Sequence, residues 1–191
     1  MKSALNLAIC ILTICSALAV TANAQRGVGP RGLDACKLLS DATHATVLGA
    51  NSRFLSQGST WLSCEYTDIE SSSNLLNAKW RTGFGFVPFT STVEAQKSWQ
   101  ETYGKWQGKT GESASSSTSV SRLRLFGADE AFLVETTRTD PQPGSREAMV
   151  YWRKGRYVGT LQLQAPLASN HADPEDAQNL MKAINWAAFG K

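Results

Sequence analysis

The stretch REAMVYWRKGRYVGTLQLQ, residues 146–164, decides the fold class of this chain. Two segments rich in Val, Tyr, Trp and Leu flank the pair Lys154 and Gly155, a pattern typical of a β-hairpin. Because a short turn of this kind joins antiparallel neighbours, the stretch predicts that the protein contains an antiparallel sheet.

The segments on either side extend this sheet and end it with a helix. RLRLFGADEAFLVETTR, residues 122–138, predicts a short strand, a turn at Gly127 and a second strand that ends at Thr137. DPEDAQNLMKAINWAAF, residues 173–189, predicts a helix with Asp173 as N-cap and Pro174 at the first position. Its apolar stripe should cover the sheet, and it consists of Ala177, Leu180, Met181, Ile184 and Ala188.

The N-terminal half begins with helices and continues with strands. ACKLLSDATHATVLG, residues 35–49, predicts two short helices, the first capped by Asp34 and the second starting at Ser40 and Asp41. STWLSCEYTDI, residues 59–69, alternates as one strand and points Cys64 inward. The strand predicted in LLNAKWRTGFGFVPF, residues 75–89, has one face formed by Leu76, Ala78, Trp80, Thr82 and Phe84.

A third helix and a loop complete the pattern. STVEAQKSWQETYGKWQ, residues 91–107, carries apolar residues at helical spacing after an N-cap at Ser91 or Thr92. The polar segment 108–121, rich in serine, predicts a mobile loop within one fold. Helices and hairpins in this order predict an α+β domain built on an antiparallel sheet.

Residues 1–24 predict a secretory signal peptide cleaved near Ala24, because an apolar run follows Lys2 and ends in small residues. The run is about 14 residues long, too short for the ~20 of a transmembrane anchor. Ile14 before Cys15 disfavours a lipid anchor. We therefore expect a periplasmic or secreted protein with a flexible leader at 25–33 and a single domain at 34–191.

Removal of the signal leaves Cys36 and Cys64 as an even pair in an oxidising compartment, which predicts a disulfide. The rival interpretations are a cysteine nucleophile and a zinc site. A nucleophile needs a base and zinc needs about four ligands, whereas the remaining chain offers only His44 and His171. We therefore expect no metal at these cysteines.

Charge and motifs argue against several other functions. Without Lys2 the chain has 18 basic and 16 acidic residues, a net charge of +2 that does not indicate nucleic-acid binding. No serine lies in a G-x-S-x-G elbow, and GFGF at 83–86 opens no helix that could hold phosphate. Asp129 and Glu130 should point to opposite strand faces rather than act as an acid–base pair. We therefore expect no cofactor and assign no catalytic residue.

The six tryptophans are the remaining signal, because core packing accounts for only some of them. Trp61 and Trp152 are candidates for exposure, and exposed aromatic residues near arginines favour recognition of a partner. The predicted binding face consists of Trp61, Trp80, Arg81, Trp152, Arg153 and Arg156.

The motifs ACKLLS, CEYT and FGADEAF, with a hairpin and a closing helix, resemble a family of small exported bacterial domains of unknown function. These domains begin C-x-L-L-[ST] and pair that cysteine with one on the first strand, which implies a bond between Cys36 and Cys64. They are similar to the α/β/α sandwiches of the PsbP and Mog1 type, which implies helices packed on a curved antiparallel sheet. The resemblance also implies a turn at 127–131, but it carries no chemistry.

The sequence therefore predicts an exported, non-enzymatic domain that binds a protein partner in the envelope or a small ligand through its sheet. The alternatives are an envelope hydrolase whose site is not visible in the sequence, and an inhibitor or immunity protein that blocks a secreted enzyme.

Overall fold

The computed structural model describes residues 32–48, 54–68, 81–140, 144–167 and 173–190. The helices in these ranges are α1 (Ala35–Leu38), α2 (Asp41–Leu48), α3 (Thr92–Gln107) and α4 (Pro174–Lys182), followed by a 3₁₀ helix at Trp186–Phe189. The strands are β1 (Phe54–Thr60), β2 (Ser63–Asp68), β3 (Arg81–Pro88), β4 (Gly111–Glu112), β5 (Ser116–Leu123), β6 (Glu130–Arg138), β7 (Ser145–Lys154) and β8 (Tyr157–Pro166).

All eight strands form one antiparallel sheet in the order β1-β2-β3-β8-β7-β6-β5-β4. The predicted hairpin is confirmed: β7 and β8 pair from Lys154 opposite Tyr157 to Ser145 opposite Pro166. Its two-residue turn is Gly155 and Arg156, one residue later than the predicted pair Lys154 and Gly155, because Lys154 still pairs with Tyr157. Gly155 has φ 55°, a left-handed conformation that glycine adopts without steric cost. Strand β3 lies against β8 and joins the N-terminal strands to this hairpin.

The two faces of the sheet carry different layers. Helices α1, α2 and α4 and the 3₁₀ helix bury the larger apolar cluster on one side, which we call the core face. Helix α3 packs on the opposite side through Trp99, against Phe132 and Val134 of β6, and we call this side the groove face. Helices therefore lie on both sides of the sheet, which confirms the predicted α+β sandwich.

Aromatic residues fill the centre of the core face. The Trp152 side chain is fully buried, and its ring centroid lies 6.0 Å from that of Phe84 and 5.0 Å from that of Phe189. Gly159 lies opposite Trp152 on β8, where a Cβ atom would overlap the indole ring. Gly127, at φ 102°, lets the β5–β6 turn approach Trp186 equally closely.

The predicted helix caps are confirmed. The Asp34 carboxylate accepts from the Cys36 backbone N–H at 3.0 Å, and Ser91 accepts from Glu94 N at 3.2 Å. At α4 the Asp173 carboxylate accepts from Asp176 N at 2.8 Å. Each cap satisfies a donor that the first helical turn leaves without a partner, so these short polar side chains set where the helices begin.

The Cys36–Cys64 disulfide is present and joins α1 to β2, with Cα atoms 5.1 Å apart. Next to it the buried Tyr66 hydroxyl donates to the Leu39 carbonyl, and the His44 ring stacks on Tyr66 with centroids 3.9 Å apart. The crosslink therefore belongs to a buried assembly that holds both N-terminal helices to the sheet.

Two predicted elements differ in the structure. Residues 59–69 are not one strand: β1 and β2 are separate, and Trp61 and Leu62 form the turn between them. The Thr60 hydroxyl accepts from Leu62 N at 3.2 Å in this turn. The segment 108–121 is not simply a loop, because it contains β4 and most of β5. Strand β5 is mostly polar, none of its residues is buried, and it lies near the edge of the sheet, so no apolar alternation marks it.

Some predictions fall outside the described residues, namely the signal peptide, most of the leader, Trp80 and His171. Leu33, at the end of the predicted leader, is described and is buried in the core. In the ranges that the structure covers, no helix has the length and apolar character needed to cross a membrane.

Removal of the disulfide by the double substitution Cys36→Ala and Cys64→Ala should lower the free energy of unfolding. The cysteines are 28 residues apart, for which the chain-entropy model gives roughly 3 to 4 kcal/mol. Urea denaturation of the oxidised protein and the double variant measures the difference. Equal stabilities would show that the crosslink does not constrain the unfolded chain.

His44 makes stability depend on pH. Burial lowers the pKa of His44 from 6.5 to about 4, against the opposing hydrogen bond with the Ser40 carbonyl. As the pH decreases, His44 therefore takes up a proton in the unfolded chain at a higher pH than in the folded protein. The contribution of neutral His44 to the free energy of unfolding is fully present above pH 6.5 and is lost as the pH decreases towards 4. The loss should be roughly 3 kcal/mol.

Urea denaturation at several pH values, with His44→Phe as the comparison, tests this dependence. The carboxylates affect the stability of both proteins equally. The difference in free energy of unfolding between the wild-type protein and His44→Phe should therefore change between pH 6.5 and 4 because of His44 alone. Parallel stability curves would contradict the assignment to His44.

Candidate functional site

A groove crosses the groove face beside α3, and its floor is formed by β2, β3 and β8. In β3 the residues Thr82, Phe84 and Phe86 point into the core, so Gly83 and Gly85 occupy the opposite face. A Cβ atom at Gly83 would meet nothing within 4 Å. The glycines therefore leave a strip of sheet without side chains.

One end of the groove is an apolar cavity of about 440 Å³ between α3 and strands β3 and β8. Val87 and Val158 line it, and Tyr151 and Phe89 add aromatic surface. Val87 is 56% exposed, which makes it one of the large apolar side chains that the structure leaves in contact with solvent. This end presents mainly apolar atoms to a ligand.

The other end is a polar cavity of about 370 Å³ over β1, β2, β3 and β8. Its polar lining residues include Gln57, Glu65, Arg81, Gln162 and Gln164. The Gln162 amide donates to the carboxylate of Glu147 on the neighbouring strand, which holds that amide in place. This end can donate and accept several hydrogen bonds.

The two cavities adjoin along the same strands. Gly83 lines the polar cavity and Gly85 the apolar one, so on β3 they are only two residues, or about 7 Å, apart. On β8, Gln162 likewise lines the polar cavity and Thr160, two residues away, lines the apolar one. The groove therefore changes from polar to apolar along its length.

Few ionisable side chains line the two cavities among the described residues. Burial raises the pKa of the Tyr151 hydroxyl at its apolar end, so this group stays neutral at physiological pH. Glu65 is the carboxylate among the lining residues of the two cavities, and the described histidine, His44, lies buried on the core face. No group of three or more potential metal ligands occurs among the residues that the structure describes.

The residues of the predicted binding face do not form one surface. Arg81 lines the polar end of the groove. The expectation of exposure for Trp152 is wrong, because this side chain is fully buried and its indole fills the core opposite Gly159. Trp61 is half-buried in the β1–β2 turn, where its ring packs 5.8 Å from Phe86.

Arg153 and Arg156 lie at the hairpin tip, at the opposite end of β8 from Arg81. Arg81 is opposite Gln164, whereas the hairpin tip follows the pair Pro88 and Tyr157, so roughly 23 Å of strand separates them. Arg156 lies over the Tyr157 ring at 5.5 Å and lines a cavity of about 540 Å³ at the start of α3. Of the predicted set, Trp80 lies outside the described residues.

The expectation that the Asp129 and Glu130 side chains point to opposite faces is wrong, because their carboxylates converge on one arginine. Both bind Arg153: Glu130 at 2.7 Å and Asp129 at 3.2 Å. Asp129 precedes β6 and also accepts from Gly155 N at 2.7 Å, so the strand alternation does not apply to it. The three side chains join the β5–β6 turn to the hairpin tip.

Sequence reasoning missed the residues that form the groove. Gly83 and Gly85 alternate with Phe84 and Phe86, and this pattern signals a strand with one face free of side chains. The glutamines come from separate strands, Gln57 on β1 and Gln162 and Gln164 on β8, so only the sheet order brings them together.

Comparison with known proteins defines the fold. No family model and no curated protein matches the sequence. A matching solved structure is the extracellular domain of PknH from Mycobacterium tuberculosis, with a TM-score of 0.51 and 12% identity. The match covers 83% of this chain and 98% of that domain. The two proteins share a fold, and at this identity the likeness shows nothing further.

Two glycine substitutions should separate the packed face of the sheet from the open one. Gly159→Ala places a Cβ against the Trp152 ring and the Gly85 carbonyl, so it should destabilise the protein by roughly 2 kcal/mol. Gly83→Ala meets open space and should change stability by about 0.5 kcal/mol or less. Thermal unfolding of both variants measures this, and equal losses would contradict the open groove.

Proposed function

We propose that this protein is an exported, non-enzymatic domain that binds a small ligand in the groove beside α3. The observation that carries the proposal is the concave strip over Gly83 and Gly85, bounded by an apolar cavity at one end and polar side chains at the other. Ligand sites in proteins are typically concave, mostly apolar and furnished with a few polar groups.

Export is supported by the disulfide and by the signal peptide predicted at residues 1–24. A structural disulfide persists in oxidising compartments such as the periplasm, and Cys36–Cys64 lies in the core next to Tyr66. We also propose that the domain is related to the α/β/α sandwiches of the PsbP and Mog1 type, as the sequence resemblance implies.

A binding role is favoured over catalysis by the groups in the groove. Hydrolysis by side chains uses a nucleophile with a base, or a pair of acids. The side chains that line the groove mostly carry amide, hydroxyl or apolar groups. The charged side chains among these lining residues are Glu65 and Arg81.

The substitution Gly83→Leu tests the proposal by filling the strip without touching the core. The protein is purified without denaturant from its own host's envelope and examined by native mass spectrometry. A bound small molecule should accompany the wild-type protein and be lost from the variant.

Gly104→Leu is the matched control, because Gly104 lies on α3 with nothing within 4 Å of a Cβ and lines neither cavity of the groove. It should retain the bound molecule. Equal retention by all three proteins would refute binding in the groove, and recovery of a protein instead of a small molecule would assign the groove to a protein partner.

A further inference from the structure

We propose that the ligand is an amphiphile with one apolar chain and an uncharged, hydrogen-bonding head such as a glycosyl group. This inference rests on the proposed binding function and specifies the class and the orientation of the ligand. The head lies at the Arg81 end of the groove and the chain lies at the Val87 end.

The apolar end sets the requirement for a chain. Val87, Val158 and Phe89 line it, and its polar side chains are the uncharged hydroxyls of Ser63, Ser98, Thr102, Tyr151 and Thr160. No charged side chain lines this cavity among the described residues. A polar group placed here would lose hydration without a charged partner, whereas a hydrocarbon chain gains from leaving water.

The glycine strip sets the shape of the ligand. A Cβ atom at Gly83 would meet nothing within 4 Å, and the nearest atoms to one at Gly85 belong to Leu62 and Ser63. Because neither glycine carries a side chain, the floor of β3 is smooth between the two ends. From Arg81 to Val87 the strand covers about 20 Å. A narrow, extended molecule can lie along this floor, and a compact one would contact only one end.

The polar end sets the requirement for the head. Its side-chain amides come from Gln57, Gln162 and Gln164, and each amide offers both donor and acceptor atoms. One carboxylate, Glu65, and one guanidinium, Arg81, add charges that cancel. This balance does not favour an anionic or a cationic head, whereas a hydroxyl-rich neutral head can donate to and accept from side-chain amides of this kind.

Isothermal titration of the oxidised protein with hexyl, octyl and decyl maltoside, each below its micelle-forming concentration, tests the inference. The dissociation constant should fall about fourfold for each methylene buried, the factor that corresponds to ~0.8 kcal/mol per CH₂. The gain should level off when the chain outgrows the apolar end. Maltose should bind far more weakly than octyl maltoside, and so should octyl sulfate and octyltrimethylammonium.

Substitutions at the two ends should have different effects. Val87→Asn should weaken octyl maltoside about tenfold and reduce the dependence on chain length. Val93→Asn, the same change at another exposed valine that lines neither cavity of the groove, should have no effect. Gln57→Leu should weaken all three maltosides by the same factor, about five, because it removes hydrogen bonds to the head. Gly83→Leu should abolish binding of every probe.

The outcomes separate this inference from the proposed function. Tighter binding of a charged-head probe, or an affinity independent of chain length, would overturn the ligand class. Binding that survives Gly83→Leu would place the amphiphile elsewhere and overturn the inference. If no maltoside binds but Gly83→Leu still releases the molecule that copurifies, the amphiphile is wrong and the groove remains the binding site.

Discussion

The pairing of β3 with β8 is the contact on which the other layers of this protein depend. It joins residues 81–88 to residues 157–164 and so unites the helices and strands of the N-terminal half with the central hairpin. The pairing is close because β8 has Gly159 opposite Phe86, where a Cβ would overlap the Trp152 ring and the Gly85 carbonyl. A tryptophan of β7 occupies that space and packs against both strands.

The alternation of β3 divides core from site. Its inward residues Phe84 and Phe86 contact the aromatic cluster that the 3₁₀ helix completes through Phe189. Its outward glycines form the floor of the groove. Because neighbouring strand residues point to opposite faces, one short segment, RTGFGFVP, supplies buried aromatic residues to the core and side-chain-free positions to the groove.

Local signals predicted much of the fold. The N-caps at Asp34, Ser91 and Asp173 and the turn at Gly155 depend on residues close in sequence, so they could be identified without the rest of the chain. The disulfide could be predicted by counting, since Cys36 and Cys64 are the pair that lies beyond the predicted signal peptide. Strand β5 was not predicted, because its polar sequence gives no periodic apolar signal. Backbone pairing with β6 places it in the sheet.

The candidate site was less accessible to sequence reasoning because its parts are distant along the chain. Arg81, a residue of the predicted binding face, lines the groove, but the prediction grouped it with Arg153 and Arg156, which lie at the other end of β8. Trp152 was a candidate for exposure, and Trp186 and Phe189 of the 3₁₀ helix pack on that face and contribute to its burial. The glutamines meet because β1, β2, β3 and β8 are neighbours, an order that no local pattern encodes.

The amino-acid sequence by itself determined the hairpin, the helix starts, the cysteine pair and the glycine alternation of β3, because each depends on conformational preferences of adjacent residues or on composition. The tertiary structure alone decided which face of the sheet each helix covers and therefore which face stays open. Burial is a property of the assembled layers. The same alternation of side chains that hides Trp152 under the 3₁₀ helix leaves Gly83 and Val87 facing the groove.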